Sequence, residues 1–226
     1  EEYIKTIDEV IAFLQNKKPT LARQICSMNF LPEASRFNQL DDMEYAFGNM
    51  GLQDKAKHLA TLYLEDLSDY IIENIDENFG FSRYAERLGR SANSFDELYE
   101  KLQSEKTFVD NFTVEILDKK LLETKPKLVC FSVPFPGNLY SAFRCAQYIK
   151  NHYPKIKTAF GGGFANTELR DLKDKRVFEF FDFITLDDGE LPIELLFENV
   201  CHSEHREASL FKRTFLLENG EVVYKN

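Results

Sequence analysis

The sequence predicts an α/β protein: a mainly helical N-terminal region, then a parallel sheet, then a C-terminal β-hairpin. Three observations carry that expectation. Residues up to 125 hold helical periodicity. From Lys127 to Glu190 come three strand-plus-loop units, LVCFSVPFPGN, IKTAFGGGFANTE and FDFITLDDGE, with helical patterns between them. Apolar strands alternating with helices build a Rossmann-like parallel sheet covered on both faces. Last, Asn219-Gly220 lies between two apolar runs, the signal of a hairpin turn with positive φ at both residues. The expected division is a helical region over 1–125, a Rossmann-like α/β core over 126–200, and a loop and β-hairpin over 201–226.

Along the chain, Ile4, Ile7, Ile11 and Leu14 repeat as one face of a helix, and Lys18-Pro19-Thr20 breaks the pattern before Leu21 to Cys26. Leu31 to Asn38 reads as an exposed loop, and a short helix is expected near Asp41 to Phe47, stopping at Gly48. Leu59, Leu62, Tyr63, Leu67, Tyr70 and Ile71 form a stripe that predicts a helix over residues 53–75. Ser94 is placed to cap the next helix, with Asp96 and Glu97 in the first turn, where the helix dipole favours acids. Phe108 to Leu122 makes one more, ending before Pro126. Strands follow at Leu128–Phe131, Ile156–Phe160 and Asp182–Leu186, with a helix at Leu139–His152 between the first two. Asn199 to Ala208 reads as a polar surface loop, and Phe211–Leu217 and Glu221–Tyr224 flank the hairpin turn. A doubly wound sheet ordinarily opens on a strand. Its late appearance here points either to a separate helical cap or to a strand upstream of Glu1, as in a piece excised from a longer protein.

Composition excludes several classes. The chain carries 38 acids against 28 bases, a formal charge of −10, with no basic stripe. Phosphate backbones select clustered Lys and Arg, so nucleic acid is not the expected partner. No apolar run approaches the ~20 residues that span a bilayer, and Glu1-Glu2-Tyr3 opens an acidic helix rather than a secretory signal. Cys26, Cys130, Cys145 and Cys201 are scattered without a C-x-x-C pair, which fits a reducing, cytoplasmic compartment. Cys130 is expected inside a buried strand and Cys145 on a helix, both as small hydrophobes. The 21 Phe and 10 Tyr follow helical and strand periods and read as core.

Ligands of parallel α/β sheets bind beyond the carboxyl ends of the strands, and all three loops fall at that edge. Gly161-Gly162-Gly163 strips side chains where something approaches the backbone closely and permits φ > 0. Three glycines exceed what a turn requires, so a ligand contact is expected there. The third position after Gly163 is Asn166, which breaks the dinucleotide fingerprint, and no Gly-Lys-Ser/Thr follows to make a P-loop. Ser132-Val133-Pro134-Phe135-Pro136-Gly137-Asn138 is stiffened by two prolines, and Asn138 is placed to cap the helix that follows. Asp187-Asp188-Gly189-Glu190 offers adjacent carboxylates for metal binding or acid–base work, with helix capping as the simpler role. Cys201, His202 and His205 bring three potential metal ligands together at a spacing that matches no established zinc site. His58 and His152 belong to no legible catalytic arrangement.

Taken over their whole length, FSVPFPGNLYSAFRCAQYIK, FGGGFANTELRDL, RVFEFFDFITLDDGELP and KRTFLLENGEVVY resemble the cobalamin (B12)-binding half of radical S-adenosylmethionine (SAM) enzymes. The likeness runs from about Tyr63 to Tyr224. It implies that Ser132, Val133, Pro134 and the loop to Asn138 lie under the corrin ring. It implies that Gly161, Gly162, Gly163 and Phe164 hold the nucleotide tail, and that Asp187, Gly189 and Glu190 line the remaining edge. The Cys-x-x-x-Cys-x-x-Cys of radical SAM proteins does not occur in this sequence. SAM and the iron–sulfur (4Fe-4S) cluster are therefore expected in a C-terminal radical SAM domain of the same polypeptide, following Asn226. On this reading the chain is itself non-catalytic and positions B12 for methyl transfer or a related radical step. The Asp-x-His-x-x-Gly that supplies a histidine to cobalt is not in the sequence either. Either no histidine of this chain ligates cobalt, or the loop lies before Glu1. Two other readings stand beside it: a degenerate docking or cap domain that no longer binds cobalamin, and a stand-alone enzyme acting on a small phosphorylated ligand.

Overall fold

The computed structural model describes residues 1–27, 29–39, 51–81, 83–90, 95–201 and 211–226. They form two compact units, Glu1–Glu77 and Asn78–Asn226. The expected Asp41–Phe47 helix and the Ser94 cap lie outside the described residues.

In the first unit, α1 (Glu2–Leu14), α2 (Ala22–Ile25) and α3 (Leu52–Asn74) close on a core that includes Val10, Phe13, Ile25, Leu59 and Tyr63. Val10 and Phe13 of α1 are buried, with Tyr3, Thr6, Ile7 and Leu14 half-buried beside them. The Tyr3 ring lies tilted against that of Tyr63, centroids 4.8 Å apart, and the Thr6 hydroxyl lies 2.9 Å from the Tyr63 hydroxyl. Ile4 is 78% exposed. Ile7 and Leu14 of the expected stripe pack against this core, and only Ile4 points away, because a polar Thr6 occupies one core-facing turn. Leu31 and Phe37 are buried and Ser35–Gln39 forms a 3-10 turn, so the stretch expected as an exposed loop is packed. Its Arg36 pairs with Glu65, Asp66 and Asp69 on α3.

The second unit carries a mixed five-stranded sheet in the order β1 to β5. Strands β1 (Leu128–Ser132), β2 (Lys157–Gly161) and β3 (Phe183–Thr185) are parallel. Strands β4 (Thr214–Glu218) and β5 (Glu221–Lys225) follow antiparallel. Around them lie α4 (Glu86–Arg90), α5 (Asp96–Gln103), α6 (Phe108–Thr124), α7 (Leu139–His152), α8 (Gly163–Glu168) and α9 (Glu190–Cys201). The hairpin forms as expected, with φ of 51° at Asn219 and 77° at Gly220. It does not stand apart, however. Ile184 pairs with Phe215 and Thr185 with Thr214, which adds β4 and β5 to the sheet.

Side chains alternate across each strand. Val129 and Phe131 pack with Leu121 of α6 and Ile149 of α7. On the same face Phe160 and Ile184 join Phe143, Phe180 and Phe181, with ring centroids 4.9 Å apart for Phe143–Phe181 and 5.1 Å for Phe160–Phe181. Burying each such ring is worth about 1.5–3 kcal/mol. The other face of β1 carries Leu128, Cys130 and Ser132. There α9 returns to the strand, and Lys127 Nζ donates to the Cys201 carbonyl at 3.4 Å. Cys130 is exposed, not buried as expected, because β1 is the edge of the sheet and this face of it is only partly covered.

The helices before the sheet share its core. Thr107 and Asp110 start α6 with a reciprocal capping box. Asp110 then accepts from Tyr140 Oη at 2.8 Å and pairs with the buried Arg144 at 3.0 Å. Arg144 also donates to the Leu102 and Lys101 carbonyls, at 2.9 and 3.2 Å. This network ties α5, α6 and α7 together, which moves the unit boundary from residues 125/126 to Glu77/Asn78.

Candidate functional site

Three adjacent parallel strands in register bring Ser132, Gly161 and Thr185 to one edge, and the three loops singled out in the sequence follow there. The strands lie in chain order without reversal, so they form no topological switch point that would hold the loops apart. The first two loops close on each other. Val133 N donates to the Gly161 carbonyl at 2.8 Å, and Phe164 N donates to the Val133 carbonyl at 3.0 Å. A Cβ on Gly162 would stand 2.8 Å from Val133 N and 2.9 Å from its O, and one on Gly163 would stand 2.8 Å from Pro134 O. The room opened by these glycines is filled by the chain's own backbone. The Val133 and Phe164 side chains are buried in the core.

Asn138 occupies the N-cap position of α7 but makes no side-chain capping bond. Pro136–Asn138 winds into α7 as a 3-10 turn instead, and α4 packs against it so closely that a Cβ on Gly89 would lie 2.6 Å from Pro136 O. The third loop is held by a clamp. Asp187, in the left-handed region at φ 60°, donates its amide to Asn166 Oδ1 at 2.6 Å, and Arg170 pairs with its carboxylate at 2.5 Å. Asp187 therefore holds the β3 loop to α8. Asn166 is the residue that sequence reasoning missed. Its partner lies on another loop, so no local spacing reveals it.

What faces solvent at this edge is Ser132, Pro134, Phe135, Asn138, Gly163, Asp188 and Glu190, with the Leu191 side chain beside them. Phe135 is 69% exposed and Leu191 45%. The edge thus combines small, bare surfaces with two apolar side chains and two carboxylates. Among the described residues no nucleophile and base pair stands there. His152 ends α7, at the end away from the loops, where it stacks on Tyr148 and lies 3.0 Å from the Tyr148 carbonyl. Burial, then Asp110, pushes the Cys145 thiol up to about 11, so it is not an activated thiolate. Among the described residues no cluster of His, Cys, Asp and Glu is arranged to hold a metal ion, and residues 202–205 lie outside them. No described helix is long and apolar enough to cross a membrane.

Comparison with protein-family models, with curated proteins and with solved structures gave no match.

Proposed function

We propose that the Asn78–Asn226 unit is a cobalamin-binding domain that holds B12 toward a radical SAM catalytic domain of the same polypeptide. The observation that carries this reading is the convergence of the Ser132, Gly163 and Asp188 loops on one edge of three parallel strands, with bare or apolar surface outward. These residues fit a broad, flat group lying across the edge. Ser132, Pro134 and Gly163 leave space for it, Phe135 and Leu191 offer apolar contact, and Asp188 and Glu190 accept hydrogen bonds from amide-type substituents. They do not fit a tail threaded between Val133 and Gly162, where the backbone leaves no room. The exposed face of β1 at Cys130 and Ser132 is the open path for one. Bound cobalamin would supply the methyl-transfer or radical chemistry, and this chain would orient it.

A second reading has its own support. Loops that satisfy each other so fully also suit a docking domain without cofactor. Titration with hydroxocobalamin followed by gel filtration separates the two. Corrin absorbance is expected to travel with the protein, and Ser132→Trp is expected to abolish it with an unchanged melting temperature. Protein that emerges colourless at saturating hydroxocobalamin would leave docking as the function.

A further inference from the structure

A cavity of about 480 Å³ lies in the second unit on the side of the sheet that faces α7, bounded by α4, α5, α8 and the segment from Leu169 to Val177. That volume falls in the range of small-molecule sites. Among the described residues its apolar lining includes Phe95, Phe143, Phe164, Leu169, Leu172 and Val177. Three of these are aromatic, and aromatic faces attract cations as well as apolar groups. The cavity shares Phe164 with the glycine loop but none of the exposed edge residues.

Among the described residues the charged groups at its rim are not balanced: four carboxylates, of Asp96, Glu168, Asp171 and Asp174, meet two cations, Lys173 and Arg176. Arg176 is already neutralised: it pairs with Asp174 at 2.6 Å and Asp96 at 2.7 Å, and lies over the rings of Phe95 and Tyr99. Glu168, Asp171 and Lys173 have no side-chain hydrogen bond or ion pair among the described residues, which leaves two unpaired carboxylates against one ammonium. An anionic ligand would meet this excess of like charge, and a cationic one would relieve it. We propose that the cavity is a binding site for a small apolar or aromatic molecule bearing one positive charge. The apolar part would lie among the three phenylalanines and the charge at the Glu168–Asp171 rim.

The test uses three probes of one shape and different charge: naphthylmethylamine, naphthylmethanol and naphthoate, titrated into the whole chain and followed by amide NMR shifts. The ammonium is expected to bind saturably with shifts at Phe164 and Leu172, the alcohol more weakly, and the carboxylate most weakly. Glu168→Gln combined with Asp171→Asn should weaken the amine roughly three- to ten-fold and leave the alcohol unchanged, as removal of two exposed charges does. Lys173→Gln should tighten the amine. All three substitutions are at exposed positions, so folding is not at risk. Failure of every probe to bind overturns the proposal. Equal affinity for the three, a preference for naphthoate, or an amine preference that survives the rim substitutions overturns it equally.

Discussion

Gly162 and Gly220 both have positive φ, at 102° and 77°, yet they differ in what surrounds them. A Cβ on Gly220 meets nothing within 4 Å, whereas one on Gly162 runs into the Val133 backbone. Gly220→Ala is therefore expected to cost about 1 kcal/mol, the price of the left-handed backbone alone. Gly162→Ala adds a backbone clash, and about 2–4 kcal/mol is expected from strain and displacement together. Urea unfolding of both variants checks the order, and equal losses would show that the two loops move apart freely. Arg144 is a second such point. Arg144→Met leaves the Asp110 carboxylate buried without its cation, so a loss of about 3–5 kcal/mol is expected. The double variant with Asp110→Asn should recover part of that loss. The sequence reveals the hairpin Asn-Gly and the unusual glycine triplet. It does not reveal that the triplet's neighbour is Val133, because two loops on adjacent strands meet only after the sheet is built.

The helices and strands were legible wherever apolar residues recur at the period of the element. α3, α6, α7 and the three parallel strands fall within a residue or two of the periodicity that predicts them. Polar residues at structural positions caused the departures, as Thr6 does on α1. The start of β3 is held in a similar way by Asp182. Its carboxylate accepts from Thr158 N at 2.8 Å and pairs with Lys150 at 2.6 Å and Lys157 at 3.0 Å, joining α7, β2 and β3. Burial raises its pKa, but Lys150, the Thr158 amide and Lys157 outweigh burial and hold it below the ordinary carboxylate range. A carboxyl with a depressed folded-state pKa stabilises the fold above its unfolded value and loses that contribution as pH falls through the folded one. Asp182→Asn should thus cost about 2 kcal/mol near neutral pH. The gap to the unsubstituted protein should narrow below about pH 4, where the unfolded carboxyl begins to titrate. A gap that stays constant into strong acid would show that the carboxylate charge contributes nothing.

Across the chain, the histidines bear on the proposed cofactor. His152 sits at the end of α7 away from the three loops, and the sequence holds no Asp-x-His-x-x-Gly to offer a histidine to cobalt. Cob(II)alamin bound to the protein is therefore expected to give an electron paramagnetic resonance spectrum without splitting from a protein nitrogen. Splitting that disappears on replacing His58, His152, His202 or His205 by Ala would contradict this. That the three loops gather at one sheet edge was legible from strand alternation alone. The cavity was not, since its lining comes from helices far apart in sequence, and neither was the place of the hairpin, whose pairing with β3 leaves no local trace. That pairing has a consequence for synthesis. Strand order in space repeats strand order along the chain, so each strand leaving the ribosome finds the previous one already waiting as a template. The inner edge of β3 waits longest for its partner, until Thr214 emerges to cover it.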